Sequence, residues 1–350
     1  SIYIFTDYFL NRKINIFRLL VCGFCFGAVC MLRINMVAVW LVMCFGVIVD
    51  TILKKKYEQL GKFILFFSIG VGIICVPILT WLNINDSFGY FIKDYFIFNI
   101  KYSSEMGEGL KMAMKVQTFI HFMKESLVLF AISICAYLAV KKRNYFDILY
   151  TIFLLLNLML LSISGKQYMH YGMTLVPALP YPFARIIGAG FTENNDEKHI
   201  FVLGLTYLLV IFGVPNWLDG INNVFQIYST RNEVHVEQLE EKIATLVKEN
   251  TTEEEQIIVC GSWNIIYNLA ERFAASKYSY QNIPCSVDED NKNEFLQELE
   301  ENRPKLVVVK EDAYVYKDVM SLIEKYNYQK IYGDKEEGIQ VYKLSTIEAN

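Results

Sequence analysis

Apolar stretches about twenty residues long dominate the chain before Trp217 and most strongly constrain its fold. A helix needs about 20 mostly apolar residues to cross the hydrocarbon core of a bilayer, where no water is present to satisfy the backbone. Seven stretches meet this requirement: Ile14–Leu32, Met36–Leu53, Phe63–Leu82, Thr118–Val140, Phe146–Ser164, Tyr171–Phe191 and Ile200–Trp217. The sequence therefore predicts about seven transmembrane helices within residues 1–217, and the prolines of the sixth stretch are compatible with a helix in a membrane.

Charge is divided unevenly between the two parts of the chain, although the whole is 54% hydrophobic. Up to Asn216 there are 19 Lys and Arg against 12 Asp and Glu, whereas from Trp217 onward there are 14 against 25. The two parts thus differ in sign, which indicates two different solvents. We predict a multi-pass α-helical membrane protein with a C-terminal extracytoplasmic α/β domain, divided into residues 1–217 and 218–350.

The orientation follows from the basic residues in the short connections, because cytoplasmic loops carry an excess of Lys and Arg. Three basic clusters fall on one side of the predicted spans: Arg12-Lys13, Lys54-Lys55-Lys56 and Lys141-Lys142-Arg143. Three other connections fall on the opposite side: the turn at Arg33, residues 83–117 and residues 165–170. Seven crossings from a cytoplasmic start place the C-terminal domain outside the cell. The connection Thr192–His199 fits this orientation poorly, since it holds three acids and one Lys.

The C-terminal part alternates between short apolar runs and helical periods. Strands are predicted at residues 256–261, 305–310, 328–332 and 339–344, and helices near residues 236–247, 264–276, 291–302 and 314–326. Strands and helices that alternate at these lengths are typical of a small layered α/β domain. The segment that follows the first strand, CGSWN, lacks the GxGxxG fingerprint, so no nucleotide site is predicted.

The cysteines and acidic clusters indicate no metal site. Six cysteines lie inside apolar runs, where they behave as small hydrophobic residues: Cys22, Cys25, Cys30, Cys44, Cys75 and Cys135. Cys22 and Cys25 form a CxxC pair without a second pair of ligands. A disulfide between Cys260 and Cys285 is an open alternative if their domain lies outside the cell. The acids at 253–255 and 288–290 are predicted to lie in solvated loops.

Polar residues on the predicted outer side form further candidates. The aromatic segment Ser87–Tyr102 suits a helix that lies in the membrane interface, an interpretation that we favour over a substrate groove. His121 and Glu125 share one face of the fourth span, either as a functional pair or as polar surface. Asp86 and Asp94 are the remaining acids in the outer loop, and neither is assigned as a catalytic base.

One motif carries a family resemblance, GKQYMHYGMTLVPALPYPFA at Gly165–Ala184. Its residues Lys166, Tyr168, His170, Tyr171 and Pro177 resemble the late helix pair of bacterial polyprenyl-phosphate-sugar-dependent glycosyltransferases of the C-type membrane fold. That superfamily includes protein O-mannosyltransferases and aminoarabinose transferases. The glycine-rich helix that ends in a basic residue, Gly23–Arg33, is also similar to a helix of this superfamily, as is the order of helices, long outer loop and small outer domain.

The resemblance implies a function. The chain would transfer a sugar from a polyprenyl-phosphate carrier to a glycan, lipid or protein acceptor of the cell envelope, at the outer face of a bacterial plasma membrane. Membrane lipid and a lipid-linked sugar donor would be its partners, and no nucleic acid is implied. No cofactor is assigned. The superfamily's catalytic acid lies in a first outer loop, and no such loop precedes the first predicted span of this chain. We therefore expect that the chain is truncated and that its catalytic residue is upstream of Ser1.

Phosphate chemistry explains the residue types of the motif. A lipid-linked sugar leaves behind a phosphate anion, which cationic donors at the membrane interface stabilise, while a carboxylate deprotonates the acceptor hydroxyl. We predict that Lys166, Tyr168, His170, Tyr171 and Arg33 bind this substrate. The alternative for each is interfacial anchoring, which we favour for Arg33 taken alone. Two other functions compete with this one. The first is a lipid transporter or flippase, although no internal repeat supports a transporter. The second is a non-catalytic scaffold whose outer domain binds envelope polymer.

Overall fold

The computed structural model describes residues 1–11, 15–104, 108–125, 127–191, 195–230 and 238–345. Two units make up the chain, Ser1–Tyr228 and Ser229–Asn350. The first unit is helical, and the second contains a small sheet. The prediction of a helical N-terminal part followed by a C-terminal α/β domain is thus confirmed.

Helices form the first unit from end to end. They are α1 (Ile2–Asn11), α2 (Ile16–Leu32), α3 (Ala38–Leu53), α4 (Tyr57–Ile84), α5 (Phe88–Phe91), α6 (Phe98–Ser104), α7 (Glu108–Glu125), α8 (Val128–Lys142), α9 (Tyr145–Ser162), α10 (Met169–Gly172), α11 (Pro180–Gly190), α12 (Asn195–Thr206) and α13 (Val214–Thr230). Tight 3-10 turns occupy Ile34–Met36 and Met173–Ala178, and wider π-helical turns occupy Ile92–Ile97 and Tyr207–Gly213.

Three helices in the described ranges are long and apolar enough to cross a membrane: Tyr57–Ile84, Tyr145–Ser162 and Phe201–Ser229. The pair Met112–Lys124 and Val128–Lys141 would make a fourth span, with a bend of 79° between its halves. Ile16–Leu32 and Ala38–Leu53 are shorter apolar helices. By length and composition, the structure therefore matches three or four of the seven predicted spans.

Two of the predicted spans are not single helices. The stretch Thr118–Val140 bends between α7 and α8. Pro177 and Pro180 interrupt the stretch Tyr171–Phe191, because proline has no N–H to donate and clashes with the preceding turn. The last helix also differs from its predicted bounds, since it continues past Trp217 to Thr230.

Close contact between α2 and α4 depends on glycines that face each other. A Cβ atom on Gly23 would lie 2.0 Å from the carbonyl oxygen of Phe67, and one on Gly70 would lie 2.2 Å from that of Leu20. Only residues without a side chain allow two helix backbones to approach this closely. The glycines thus fix where α2, the helix that leads to Arg33, crosses α4.

The second unit is built on four strands, β1 (Ile257–Cys260), β2 (Leu306–Lys310), β3 (Tyr328–Asp334) and β4 (Ile339–Leu344), in the order β1-β2-β4-β3. β1 and β2 are parallel, with Val259 opposite Val308, whereas β4 runs antiparallel to both β2 and β3. Its helices are α14 (Leu239–Asn250), α15 (Ile265–Ala270), α16 (Asn282–Val287), α17 (Glu289–Asn302) and α18 (Tyr316–Lys325).

Alternate side chains of the buried strands face two separate cores. Ile258 and Val307 pack with Phe295 of α17, while Ile257 and Leu306 pack with Ile243 of α14 on the opposite face. A strand that is covered on both faces reads as a continuous apolar run, which is why IIVC and LVVV were recognisable in the sequence. The result is a sheet between two layers of helices.

One predicted helix of this unit is much shorter than expected. Residues 264–276 were predicted to be helical, but α15 ends at Ala270. Glu271 adopts a left-handed conformation (φ 56°), and the Arg272 guanidinium donates to the carbonyl oxygens of Ala270 and Thr251. These bonds end the helix, after which Ala274 pairs with Ile257 beside β1.

Candidate functional site

The segment that carries the family-like motif begins where α9 ends. Gly165 follows α9 with φ +66°, a left-handed conformation that favours glycine, and turns the chain toward Lys166. The short helix α10 then presents His170 and Tyr171, and the 3-10 turn that contains Pro177 leads into α11. Prolines and a glycine thus hold the motif in a compact, irregular segment instead of a continuous helix.

Three aromatic rings of this segment contact one another. The ring centroids of Tyr168 and His170 are 5.7 Å apart with nearly parallel planes, and each ring meets Tyr171 edge to face at 5.3 Å and 4.7 Å. Tyr168 and His170 are exposed, whereas Tyr171 is half-buried. The arrangement leaves a phenol and an imidazole on the surface of the unit.

One cation contacts these rings, and a second contacts a tyrosine of another helix. The Arg33 guanidinium carbon lies 4.3 Å from the centroid of the Tyr171 ring, although 138 positions separate the two residues. The Lys166 ammonium lies 5.4 Å from the centroid of Tyr102, which belongs to α6. Four of the predicted binding residues therefore contact one another, Arg33, Tyr168, His170 and Tyr171. Lys166 lies two positions before Tyr168 in the chain and contacts α6, and we call these five residues the cationic cluster.

Neither cation of the cluster is neutralised by a carboxylate. Among the residues that the structure describes, no Asp or Glu forms an ion pair with Arg33 or Lys166. Both side chains are half-buried, so their charges are partly shielded from water. Electrostatic attraction to an anion is stronger in such surroundings than in bulk water, and the cluster is therefore suited to hold one.

The aromatic outer segment anchors the end of α2 beside the cluster. The Tyr95 hydroxyl donates to the carbonyl oxygen of Cys30 at 2.8 Å and accepts from the backbone N–H of Ile34 at 3.0 Å. Tyr95 also stacks on Phe91, with centroids 5.4 Å apart. The π-helical turn Ile92–Ile97 sets the direction of this side chain. Sequence reasoning predicted an interfacial helix for this segment but did not show that it holds the backbone next to Arg33.

Several other predicted candidates do not join the cationic cluster. The His121 ring is half-buried against Phe122, 5.3 Å away, and the side chain of its predicted partner Glu125 lies outside the described part. Asp86 is exposed in a left-handed conformation, and Asp94 lies in the π-helical turn. Neither aspartate is within ion-pair distance of the cluster's cations in the described part of the chain.

A buried ionic contact that the sequence analysis missed supports the motif from the opposite side. Asp147, fully buried in the first turn of α9, accepts a hydrogen bond from the Tyr181 hydroxyl, and its Oδ2 lies 3.6 Å from an Nη of Arg185. The Tyr150 hydroxyl donates to Ala178 at 2.8 Å. These bonds join α9 to the 3-10 turn and to α11, which carry the second half of the motif. The signal was present in the sequence, because an acid inside an apolar run such as FDILY is costly unless it has a partner.

An apolar cavity of about 550 Å³ begins close to the cluster. Val29 and Met36, which flank Arg33 in the sequence, line it together with Thr174, one turn beyond Tyr171. Deeper lining residues are Trp40, Phe153 and Tyr181. The cavity provides an apolar space whose lining includes residues within about one helical turn of Arg33 along the chain.

The cysteines of the second unit are free thiols. Cys260 and Cys285 are both buried in the core between the sheet and α17, and no disulfide joins them. Burial raises the pKa of the Cys285 thiol to about 12 and also raises that of Cys260. Within the described ranges, no group of three or more His, Cys, Asp or Glu side chains is placed to hold a metal ion.

Comparison with known proteins gives one match. The family described as "Putative competence-induced protein Ccs4 C-terminal domain" matches residues 237–345, which correspond to the α/β unit. No curated protein and no solved structure matches the chain. The similarity therefore concerns the second unit.

Proposed function

We propose that the chain is a multi-pass membrane protein of the bacterial plasma membrane that transfers a sugar from a polyprenyl-phosphate carrier to a cell-envelope acceptor. The observation that carries this proposal is the cationic cluster. Arg33 and Lys166 have no carboxylate partner among the described residues. Arg33 contacts Tyr171, which packs with Tyr168 and His170, and Lys166 contacts Tyr102. A phosphate anion would complete the charge balance of such a cluster.

The chemistry assigns a role to each side chain. As the bond between the sugar and the carrier breaks, negative charge grows on the phosphate, and the Arg33 and Lys166 cations stabilise it. The Tyr168 hydroxyl and the His170 imidazole donate hydrogen bonds to phosphate or sugar oxygens, and Tyr171 holds the Arg33 guanidinium in place through its ring. None of the five is a carboxylate, so another group must deprotonate the acceptor hydroxyl.

The apolar cavity supports a lipid-linked donor over a soluble one. Its lining starts at Val29, Met36 and Thr174, close to the cations, and continues toward Trp40 and Phe153. An isoprenoid chain in this cavity would leave its phosphate near Arg33, since the lining residues Val29 and Met36 lie within about one helical turn of Arg33 along the chain. Burial of apolar chain segments contributes about 0.8 kcal/mol per CH₂ group, so the chain would supply much of the affinity.

The membrane placement rests on the apolar helices and the basic residues. Three helices, or four with the bent pair, have the length and composition of spans. The clusters Lys54–Lys56 and Lys141–Arg143 favour a cytoplasmic location for one end of the helical unit. We therefore propose that the cationic cluster lies at the outer face and the α/β unit outside the cell. In that position the α/β unit would be free to recognise the acceptor.

Transfer from a radiolabelled polyprenyl-phosphate sugar in isolated membranes tests the function. We expect Lys166→Ala and His170→Ala each to lower the rate at least tenfold, because loss of one donor to a developing anion typically costs 100-fold to 1000-fold in rate. Lys62→Ala is the matched control, since Lys62 is an exposed lysine paired with Glu58 on α4. Transfer at the wild-type rate by both cluster variants would contradict the assignment.

A further inference from the structure

A second groove lies on the surface of the helical unit between α8 and α12. It has a volume of about 570 Å³ and is lined by one face of each helix. Phe130, Ile134, Tyr137 and Lys141 come from α8, and His199, Leu203 and Gly204 come from α12, with Tyr207 in the π-helical turn that follows. It shares no lining residue with the cavity beside the cationic cluster.

The chemistry of the lining changes from one end of the groove to the other. Lys141 and His199 occupy one end, where the Lys141 ammonium donates to the Tyr137 hydroxyl at 2.9 Å. Ile134 and Leu203 follow, and Leu203 is 71% exposed. Phe130 stacks on Tyr207 at the other end, with centroids 4.7 Å apart. The groove therefore has a basic head and an apolar body, and no Asp or Glu is among its described lining residues.

The floor of the groove is fixed by packing with a third helix. Gly204 is buried, and a Cβ atom added to it would lie 3.0 Å from a methyl group of Ile186 on α11. Because α12 packs against α11 at Gly204, Leu203 of α12 and Tyr207 of the following π-helical turn face the groove. The groove is thus part of how these helices pack, and it does not depend on an adjustable loop.

The length of the groove matches one leaflet of a bilayer. Eleven residues separate Phe130 from Lys141, which corresponds to about 16 Å along a helix at ~1.5 Å per residue. Half of a hydrocarbon core about 30 Å thick is about 15 Å. A lipid whose acyl chain lay along the apolar body would therefore have its phosphate at the level of Lys141 and His199.

We propose that this groove is a binding site for one anionic phospholipid of the leaflet at the Lys141–Arg143 end of the helical unit. Basic pockets between membrane helices recognise anionic headgroups, and two basic residues favour such a lipid over a zwitterionic one. The proposal rests on the proposed membrane insertion of the chain but not on sugar transfer. Its ligand is distinct from the polyprenyl-phosphate donor, because the two sites are lined by different residues and have their basic groups near opposite ends of the predicted spans.

Native mass spectrometry of the full-length chain, released from vesicles with equal amounts of phosphatidylglycerol and phosphatidylcholine, tests the site. We expect the first retained lipid to be phosphatidylglycerol in at least fivefold excess, since each basic residue near a membrane surface contributes about fivefold in affinity for anionic lipid. Lys141→Gln combined with His199→Gln should reduce the ratio to near one. Lys141→Arg should keep the excess, and so should Lys62→Gln, which changes a lysine outside the groove.

Filling the apolar body gives an independent measurement. Ile134→Trp should reduce the retention of both lipids, while the binding of polyprenyl phosphate to the same sample should not change. Equal retention of the two lipids by the wild type, or a fivefold excess that survives in the double variant, would overturn the proposal. A second copy of the chain that is retained in place of lipid and lost in Ile134→Trp would overturn it as well. Retention of no lipid by any variant would overturn both this site and the proposed membrane insertion, whereas failure of sugar transfer alone would leave it intact.

Discussion

Arg33 and Lys166 both contact an aromatic ring rather than a carboxylate. A cation over a ring gains about 0.5–1 kcal/mol at an exposed site, yet it keeps its full charge. An ion pair would orient the side chain as well, but it would neutralise the charge that a phosphate needs. Tyr171 and Tyr102 therefore hold the two cations without competing with an anionic ligand.

The five residues of this cluster were all named from the sequence, but the contacts that position them were not. Lys166, Tyr168, His170 and Tyr171 lie close together in the sequence, so one motif reveals them. Tyr95 and Tyr102 contact Cys30 and Lys166 across more than 60 positions of the chain. No local pattern encodes such a contact, because the packing of distant helices decides it.

The buried thiol of Cys285 predicts an alkaline loss of stability in the α/β unit. Burial raises the pKa of this thiol from 9.0 to about 12, so the folded state keeps a proton that the unfolded state loses above pH 9. Its contribution is complete below pH 9 and falls by about 1.4 kcal/mol per pH unit between pH 9 and pH 12. Chemical unfolding of the α/β unit in the full-length chain should show a slope that is shallower by this amount in Cys285→Ala, which keeps the raised pKa of the buried Cys260 thiol. Equal slopes in both proteins would show that the thiol ionises freely in the folded state.

At the scale of single elements, composition predicted where helices occur better than where they bend. The helices α4 and α9 contain the predicted spans almost entirely, since long apolar runs have one stable form in a bilayer. The sequence at the 79° bend after α7 contains no Pro or Gly that would have predicted it. In the α/β unit, the pattern of apolar runs predicted the strands, but it missed α16 and the early end of α15, where contacts of Arg272 with the distant Thr251 decide the outcome.

The crossing of α2 and α4 predicts which glycines the helical unit requires. Gly23→Ala and Gly70→Ala should each lower the free energy of unfolding by about 1–3 kcal/mol, because the new methyl group overlaps a backbone carbonyl of the facing helix. Gly72→Ala on α4 is the control, since the nearest atom to its Cβ is a Val76 methyl group at 4.0 Å. Thermal unfolding in detergent measures the difference. A midpoint for Gly23→Ala equal to that of the control would contradict this crossing.

At the scale of the whole molecule, the two units differ in the polarity of their surfaces and in their charge. The helical unit is apolar on its surface, with Leu203, Trp217 and Phe225 among its exposed side chains, whereas the acidic unit buries its apolar residues on both faces of a sheet. Composition alone predicted this division, because a chain cannot place such surfaces in the same solvent. The family match to residues 237–345 follows the same division.

Photocrosslinking at Tyr168 tests most directly whether the cationic cluster binds a lipid phosphate. A photoreactive benzoylphenylalanine in place of Tyr168 should become labelled by radioactive polyprenyl phosphate in membranes, and Lys166→Ala or excess unlabelled polyprenyl phosphate should suppress the label. The same amino acid in place of Tyr57, an exposed residue near the predicted cytoplasmic end of α4, should remain unlabelled. Equal labelling at the two positions would contradict the account.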